Sequence, residues 1–204
     1  MRAMKVASIE QFIAADSKDW VNIPSETIEF APTPSAQQPT EYIRVKWEDK
    51  EYGLLDNAQA AVVQDGKQIV IRLAWNQANT HMFDGAAVTF PIAGEPVLME
   101  MGSAKAPMHA LHWLNKTGKV RSVFAAGMGT TTEGPNVGQK GGGVHKDGMW
   151  QVTFVRNLGA GERVAPLVAG KKSSVAFAIW NGSNDERAGL KAFSIDWRPI
   201  EIDG

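Results

Sequence analysis

The chain contains no cysteine. That single absence excludes disulfide staples, thiolate-ligated zinc, iron–sulfur clusters, cysteine nucleophiles and the thioether attachment of c-type haem. Any redox or metal chemistry must therefore rest on His, Met, Lys, Tyr or carboxylates. A basic surface is missing too: 21 Lys and Arg stand against 22 Asp and Glu, with no basic run, which excludes a phosphate-tracking face for nucleic acid. Long apolar runs are absent as well. The longest, near residues 174–180, is about one strand long, against the roughly 20 residues of a membrane-spanning helix. The first 20 residues place Glu10, Asp16 and Asp19 among their apolar positions, so no secretory signal is expected there as the chain stands.

What remains, 204 residues with seven Trp and eight Met, is expected to form a single domain spanning 1–204. A short helix is expected at 9–15, with Ser8 as its cap. Beyond it the pattern is β, with strands expected at 27–31, 42–47, 58–64, 67–75, 86–90, 97–101, 109–113, 150–156, 174–180 and 191–197. Asp65-Gly66 and Asp147-Gly148 separate β-rich runs and read as hairpins, the first as a type I′ turn with both residues at positive φ. About ten short strands at this spacing predict an all-β fold, an antiparallel β-sandwich. Residues 117–143, rich in glycine and without a period, are expected to be one long loop.

Motifs for chemistry are sparse. Neither a G-x-S-x-G elbow nor a phosphate-binding glycine loop occurs. Glu95 with Glu100, and Asp185 with Glu186, read as solvated charges rather than acid/base pairs. His109 and His112 lie three apart on an expected strand, so they point to opposite faces and cannot chelate one ion. Met99 and Met101 alternate within VLMEMG, and Met108 follows a proline; by composition alone they are core filler.

Three stretches in order carry a resemblance: FPIAGEPVLMEMGSAKAPMHALHWLNK (90–116), HKDGMWQVTFVRNL (145–158) and VAFAIWNGSNDERAGLKAFSIDW (175–197). Together with the early pair DGKQIVIRLAW (65–75), they resemble the haem b-binding γ subunits of the ethylbenzene dehydrogenase, dimethyl sulfide dehydrogenase, chlorate reductase and selenate reductase group. The resemblance covers about residues 20–197, and its last segment is the most specific. It implies a β-sandwich holding one non-covalent haem b, with iron bound by a Met sulfur and a Lys amine. By motif position these are Met101 and Lys191, with Met99 and Met108 as rivals for the first and Lys171 or Lys172 for the second. Where relatives carry an Asn-Ile-Trp-x-Trp run, this chain has His109 to Trp113, so His109 or His112 stands as a competing ligand. Arg121, Lys119 and Lys140 are candidates to meet the haem propionates, or else solvated charges.

The implied role is electron transfer without catalysis. Partners would be a molybdopterin-containing α subunit, an iron–sulfur β subunit and a soluble carrier such as cytochrome c, in the periplasm. Two strong-field axial ligands would close the iron to substrate and oxygen. A lysine ligates only as the neutral amine, so Lys191 is expected to be buried, unlike the other lysines. A carbohydrate- or ligand-binding sandwich without haem is the alternative, since both share the architecture.

Overall fold

The computed structural model describes residues 1–38 and 40–204 and is a β-sandwich. Its strands are β1 (Arg2–Lys5), β2 (Ser25–Pro32), β3 (Asn57–Gln64), β4 (Gln68–Asn76) and β5 (Gly85–Pro91). Then come β6 (Met108–Leu114), β7 (Lys119–Ala125), β8 (Thr132–Glu133), β9 (Lys140–Lys146) and β10 (Met149–Asn157). The last are β11 (Gly159–Gly161), β12 (Val164–Leu167), β13 (Lys172–Trp180), β14 (Ala192–Ser194) and β15 (Arg198–Ile202). Two short helices, α1 (Glu10–Ile13) and α2 (Glu41–Lys46), complete the regular structure with a few single 3₁₀ turns.

The main sheet runs β8-β7-β6-β5-β13-β14-β2-β3-β4-β10-β9. β2 is the fold line: residues 25–29 pair with β3, and Phe30, Ala31 and Pro32 pair with Ser194, Phe193 and Ala192 of β14. One layer thus holds β5, β6, β7, β13 and β14, and the other β3, β4, β9 and β10. Between them lies the core, built by strand alternation: Ala86, Val88 and Phe90 from β5, Leu111 and Trp113 from β6, Val175, Phe177 and Ile179 from β13, against Ile69, Ile71, Leu73, Val152 and Phe154. Among the described residues no helix is long and apolar enough to cross a membrane.

The expected strands at 58–64, 67–75, 86–90, 109–113, 150–156 and 174–180 form within two residues of the anticipated ends. Five expectations are corrected. Residues 42–47 fold as α2, because Thr40 Oγ1 accepts the Ile43 N–H and Ile43 and Trp47, four apart, share a face packed toward Tyr52 and Leu190. Residues 97–101 make a 3₁₀ turn rather than a strand, so Met99 and Met101 do not share a strand face. Of residues 191–197 only Ala192–Ser194 is extended, leaving Lys191 in the loop before it.

The glycine-rich stretch is not one loop but holds β7, β8 and most of β9. Glycine there serves packing. A Cβ on Gly143 would collide with the indole of Trp113, so the absence of side chains lets β9 close over the core. The hairpin at 65–68 also differs in detail: Asp65 N–H bonds the Gln68 carbonyl at 3.1 Å, the central residues are Gly66 and Lys67, and only Gly66 has positive φ. Asp147 (φ 52°) and Gly148 (φ 74°) do both adopt it, as a type I′ turn requires.

Candidate functional site

Alternation puts a second set of side chains on the outer face of the β5–β6–β13–β14 layer. In register these are Thr89 opposite Ala110 and Ala176, Ala87 opposite His112 and Ala178, and Ala178 opposite Phe193. Small residues dominate, so the sheet presents a shallow floor instead of a packed face. Two loops overhang it, one before β6 and one before β14.

The first loop carries Met101. Gly102 N–H bonds the Val97 carbonyl and Met101 N–H the Leu98 carbonyl, both at 3.1 Å, which is the Schellman pattern of a helix end. Its left-handed position, usually a glycine, is Met101 at φ 58°. Gly102 follows at φ 76°, where a Cβ would stand 2.6 Å from the Ala106 carbonyl oxygen. The Met-Gly pair is therefore a backbone requirement at its second residue and a strained choice at its first. Trp197 ties the loop to the end of the sheet, its indole N–H donating to the Pro96 carbonyl at 2.8 Å, and Gly127 N–H bonds the Met101 carbonyl at 3.0 Å.

The second loop carries Lys191 and opens with the same pattern: Asp185 N–H to the Gly182 carbonyl, Glu186 N–H to the Asn181 carbonyl, and Asp185 at φ 55°. Trp180 here plays the part that Trp197 plays above, donating its indole N–H to the Ala188 carbonyl at 3.1 Å. Thr33, Trp47 and Tyr52 grip the far side. Thr33 N–H donates to the Lys191 carbonyl at 3.1 Å, Thr33 Oγ1 donates to the Gly189 carbonyl, and Leu190 is buried with Trp47 and Tyr52.

Floor and loops enclose one cleft lined by Thr33, Thr89, Leu98, Met99, Met101, Met108, Ala176, Ala178, Lys191 and Phe193. Met101 and Lys191 meet there from 90 positions apart in the chain. The rivals Met99 and Met108 line it too, Met108 buried on the floor and Met99 40% exposed at the mouth. Lys171 and Lys172 do not: both are exposed, and Lys172 pairs with Glu201.

Lys191 has the chemistry a metal-binding amine needs. Among the described residues no carboxylate lies within ion-pair distance of its Nζ, whose polar contact is the Ala188 carbonyl at 3.4 Å, with the Trp180 ring 5.7 Å away. Burial pushes its pKa down to about 8. The side chain is partly rather than fully buried, so the expectation of burial holds in its electrostatic consequence.

The histidines are committed elsewhere. His109 is wholly buried on the core side, Nε2 at 2.9 Å from Ser122 Oγ and Nδ1 at 3.3 Å from the Arg156 guanidinium. His112 faces the outer side, as expected for a strand neighbour three residues away, and its Nδ1 accepts from Arg121 Nε at 3.2 Å. Arg121 is thus held at the floor's edge, Lys119 is exposed, and Lys140 pairs with Glu10 at 3.6 Å. Burial first, and the nearby guanidinium second, hold both His109 and His112 down at about 4, with Arg156 and Arg121 the respective cations. Between pH 6.5 and 4 the unfolded chain takes up protons that the folded chain refuses, so stability falls across that window. Urea titrations should show this decline at up to about 1.4 kcal/mol per pH unit for each histidine, and a shallower one in His109→Asn.

Two buried carboxylates were not singled out as structural. Glu186 is 4% exposed, which corrects its reading as a solvated charge; Asp185, Glu95 and Glu100 are exposed as expected. Asp84, fully buried, accepts from Gly182 N–H at 2.8 Å, His81 N–H at 2.7 Å and the Trp150 indole at 3.2 Å. Its one sequence signal is Asp84-Gly85 after Phe83, which reads like any turn.

Residues 96–192 match the ethylbenzene dehydrogenase family model, a span that begins at the Met101 loop and ends just past Lys191. The chlorate reductase subunit gamma of Ideonella dechloratans is 33% identical over 148 residues, 68% of this chain. The chain is similar to this family. A putative respiratory nitrate reductase heme subunit of Haloferax mediterranei is 28% identical over 93% of the chain and 70% of its own length. The dimethylsulfide dehydrogenase subunit gamma of Rhodovulum sulfidophilum is 24% identical over 87% and 71%. The chain spans 62% of the length of the chlorate reductase subunit. In fold, the chain is similar to a family 9 carbohydrate binding module from Caldicellulosiruptor kristjanssonii, solved with glucose, at a TM-score of 0.53 and 7% identity over 100% of this chain and 95% of that one.

Proposed function

We propose that this chain is the haem b-carrying, non-catalytic electron-transfer subunit of an oxidoreductase complex, with Met101 and Lys191 as the axial donors. The observation that carries the reading is the convergence of these two residues on one cleft, with the lysine amine free of a carboxylate partner among the described residues and its proton weakly held. The relatives' names, gamma subunits of chlorate reductase and dimethylsulfide dehydrogenase and a nitrate reductase heme subunit, support it.

The donor set fits haem b. A thioether and a neutral amine are strong ligands for its iron, and the alanine floor with Leu98, Met99 and Phe193 supplies the apolar surface that non-covalent retention of a porphyrin needs. Size sets a condition: the cleft encloses about 40 Å³, or about 380 Å³ with its open mouth, so the Met101 loop must stand further from the sheet to admit the macrocycle. That loop is held to the rest of the fold by few bonds, chiefly those of Trp197 and Gly127. When bound, haem b supplies a one-electron ferric/ferrous couple. Met101 would favour the reduced state and Lys191, by giving up its proton, would complete the coordination.

Electrons would pass between an iron–sulfur β subunit, itself serving a molybdopterin-containing α subunit, and an external carrier such as cytochrome c. The periplasm is the proposed compartment. The carbohydrate-binding alternative draws on the fold likeness alone. Sugar platforms need exposed aromatic faces, whereas five of the seven Trp are buried (Trp20, Trp47, Trp75, Trp113 and Trp150). Trp180 and Trp197 are half-buried and bound through their indole N–H groups to the two ligand loops. An absorbance spectrum of the protein reconstituted with haemin tests the choice. A sharp Soret band, resolved α and β bands on reduction and a b-type pyridine haemochrome are expected; a colourless protein that binds oligosaccharide would select the alternative.

A further inference from the structure

Among the described residues Lys191 Nζ has no polar contact beyond its own loop, so where the amine stands depends on how the backbone of that loop is held. The turn at 181–186 closes on main-chain bonds and on Asn181 Oδ1, which accepts the Ser183 N–H at 3.1 Å; it does not need the Glu186 side chain. Yet Glu186 is buried with no cation beside it among the described residues, an expensive placement for a carboxylate. Its oxygens are spent on N–H donors: Oε2 accepts from Asn181 N–H at 2.9 Å, and Oε1 accepts from Asn184 Nδ2 at 3.2 Å and from Gly53 N–H at 2.8 Å.

The bond to Gly53 spans 133 positions and lands where it matters. Gly53 has φ +64°, and a Cβ on it would stand 2.7 Å from the Lys191 carbonyl oxygen and 2.8 Å from Pro32 Cα. The Gly53 backbone is therefore pressed directly against the Lys191 backbone, with no space for a side chain. We propose that Glu186 is the positioning residue for Lys191: its carboxylate fixes the Gly53 main chain, which buttresses Lys191 and sets where the amine enters the cleft. This rests on the reading of Lys191 as an iron ligand.

The full chain is examined in two states, for the parent, Glu186→Gln, Gly53→Ala and Val63→Ala. Val63 is buried beneath α1, in a separate apolar cluster with Ile9, Phe12 and Trp20, so its truncation lowers stability without touching the loop. In the haem-loaded chain, imidazole is titrated against the low-spin spectrum to displace the lysine. In the haem-free chain, hydrogen exchange is followed at Leu190, whose N–H bonds the Arg187 carbonyl. Glu186→Gln and Gly53→Ala should each raise imidazole affinity by about 10–100-fold, the usual effect of losing a support behind a ligand. Both should also speed exchange at Leu190, while Val63→Ala leaves both readouts at the parent's values despite a lower urea midpoint. The proposal is overturned, with the ligand reading intact, if the parent binds haem and Glu186→Gln behaves as the parent or as Val63→Ala. A parent that takes up no haem overturns the ligand reading and reduces Glu186 to a loop brace, whatever the exchange data show.

Discussion

Lys191→Ala is expected to convert a six-coordinate low-spin haem protein into a high-spin or haem-depleted one, while leaving the haem-free fold intact. Among the described residues, the rival nitrogens are not placed to substitute. His109 is locked between Ser122 and Arg156, His112 is engaged by Arg121, and Lys171 and Lys172 are exposed outside the cleft. Losing a ligand should cost haem affinity more than the roughly 10–100-fold typical of outer-shell changes. Stability should move the other way or not at all. The depressed pKa, about 8 against an ordinary 10.5, means that the folded chain holds the ammonium at a cost at neutral pH. For the haem-free parent, stability therefore rises with pH from about 8 to 10.5, where the unfolded chain binds the proton that the folded one has released. The alanine variant lacks that rise. In the parent, haem affinity should also fall about tenfold per pH unit below about 8, since iron must displace the proton, and the variant should lose this slope. Haemochrome content and urea midpoints across pH 6–10 check all three expectations. A variant retaining the parent's low-spin spectrum would remove Lys191 from the iron.

How much of this was readable beforehand follows from what each residue must do. Strands with one core face, such as those around Val88 and Phe177, declare themselves by alternation because burial enforces period two. The same alternation in YIRVKW misleads, since Ile43 and Trp47 are also four apart, and a capping Thr40 with Leu190 as packing partner decides for helix. Gly141, Gly142 and Gly143 carry no side chains to show a period, so β9 reads as loop although Trp113 requires Gly143 and the Thr153 carbonyl requires Gly141. For the site, composition and spacing alone left Met101 and Lys191 as filler and surface charge; only the ordered family motifs raised them. The supports were less visible still. Glu186, Asp84 and Thr33 act through bonds to backbone groups far along the chain, and no local pattern encodes such partners.

Met101 offers a test in which ligation and backbone strain pull apart. As a non-glycine residue at φ 58° it bears a cost of roughly 1–2 kcal/mol that glycine at the same position would not. Met101→Gly removes the thioether and the strain together, whereas Met101→Ala removes the thioether and keeps the strain. Both variants should lose the Met-ligated low-spin spectrum and, where haem is retained, show a lower reduction potential. Their haem-free stabilities should nevertheless differ, glycine exceeding alanine by about 1 kcal/mol, because a left-handed helix end favours it. A residue kept only for packing or folding would show the opposite economy: glycine would improve the protein and change nothing in its colour. Met99→Leu and Met108→Leu complete the comparison, since both side chains line the same cleft. If either of them, and not the Met101 pair, alters the spectrum, the sulfur donor is reassigned to that residue and the strain at Met101 must serve only to aim the loop.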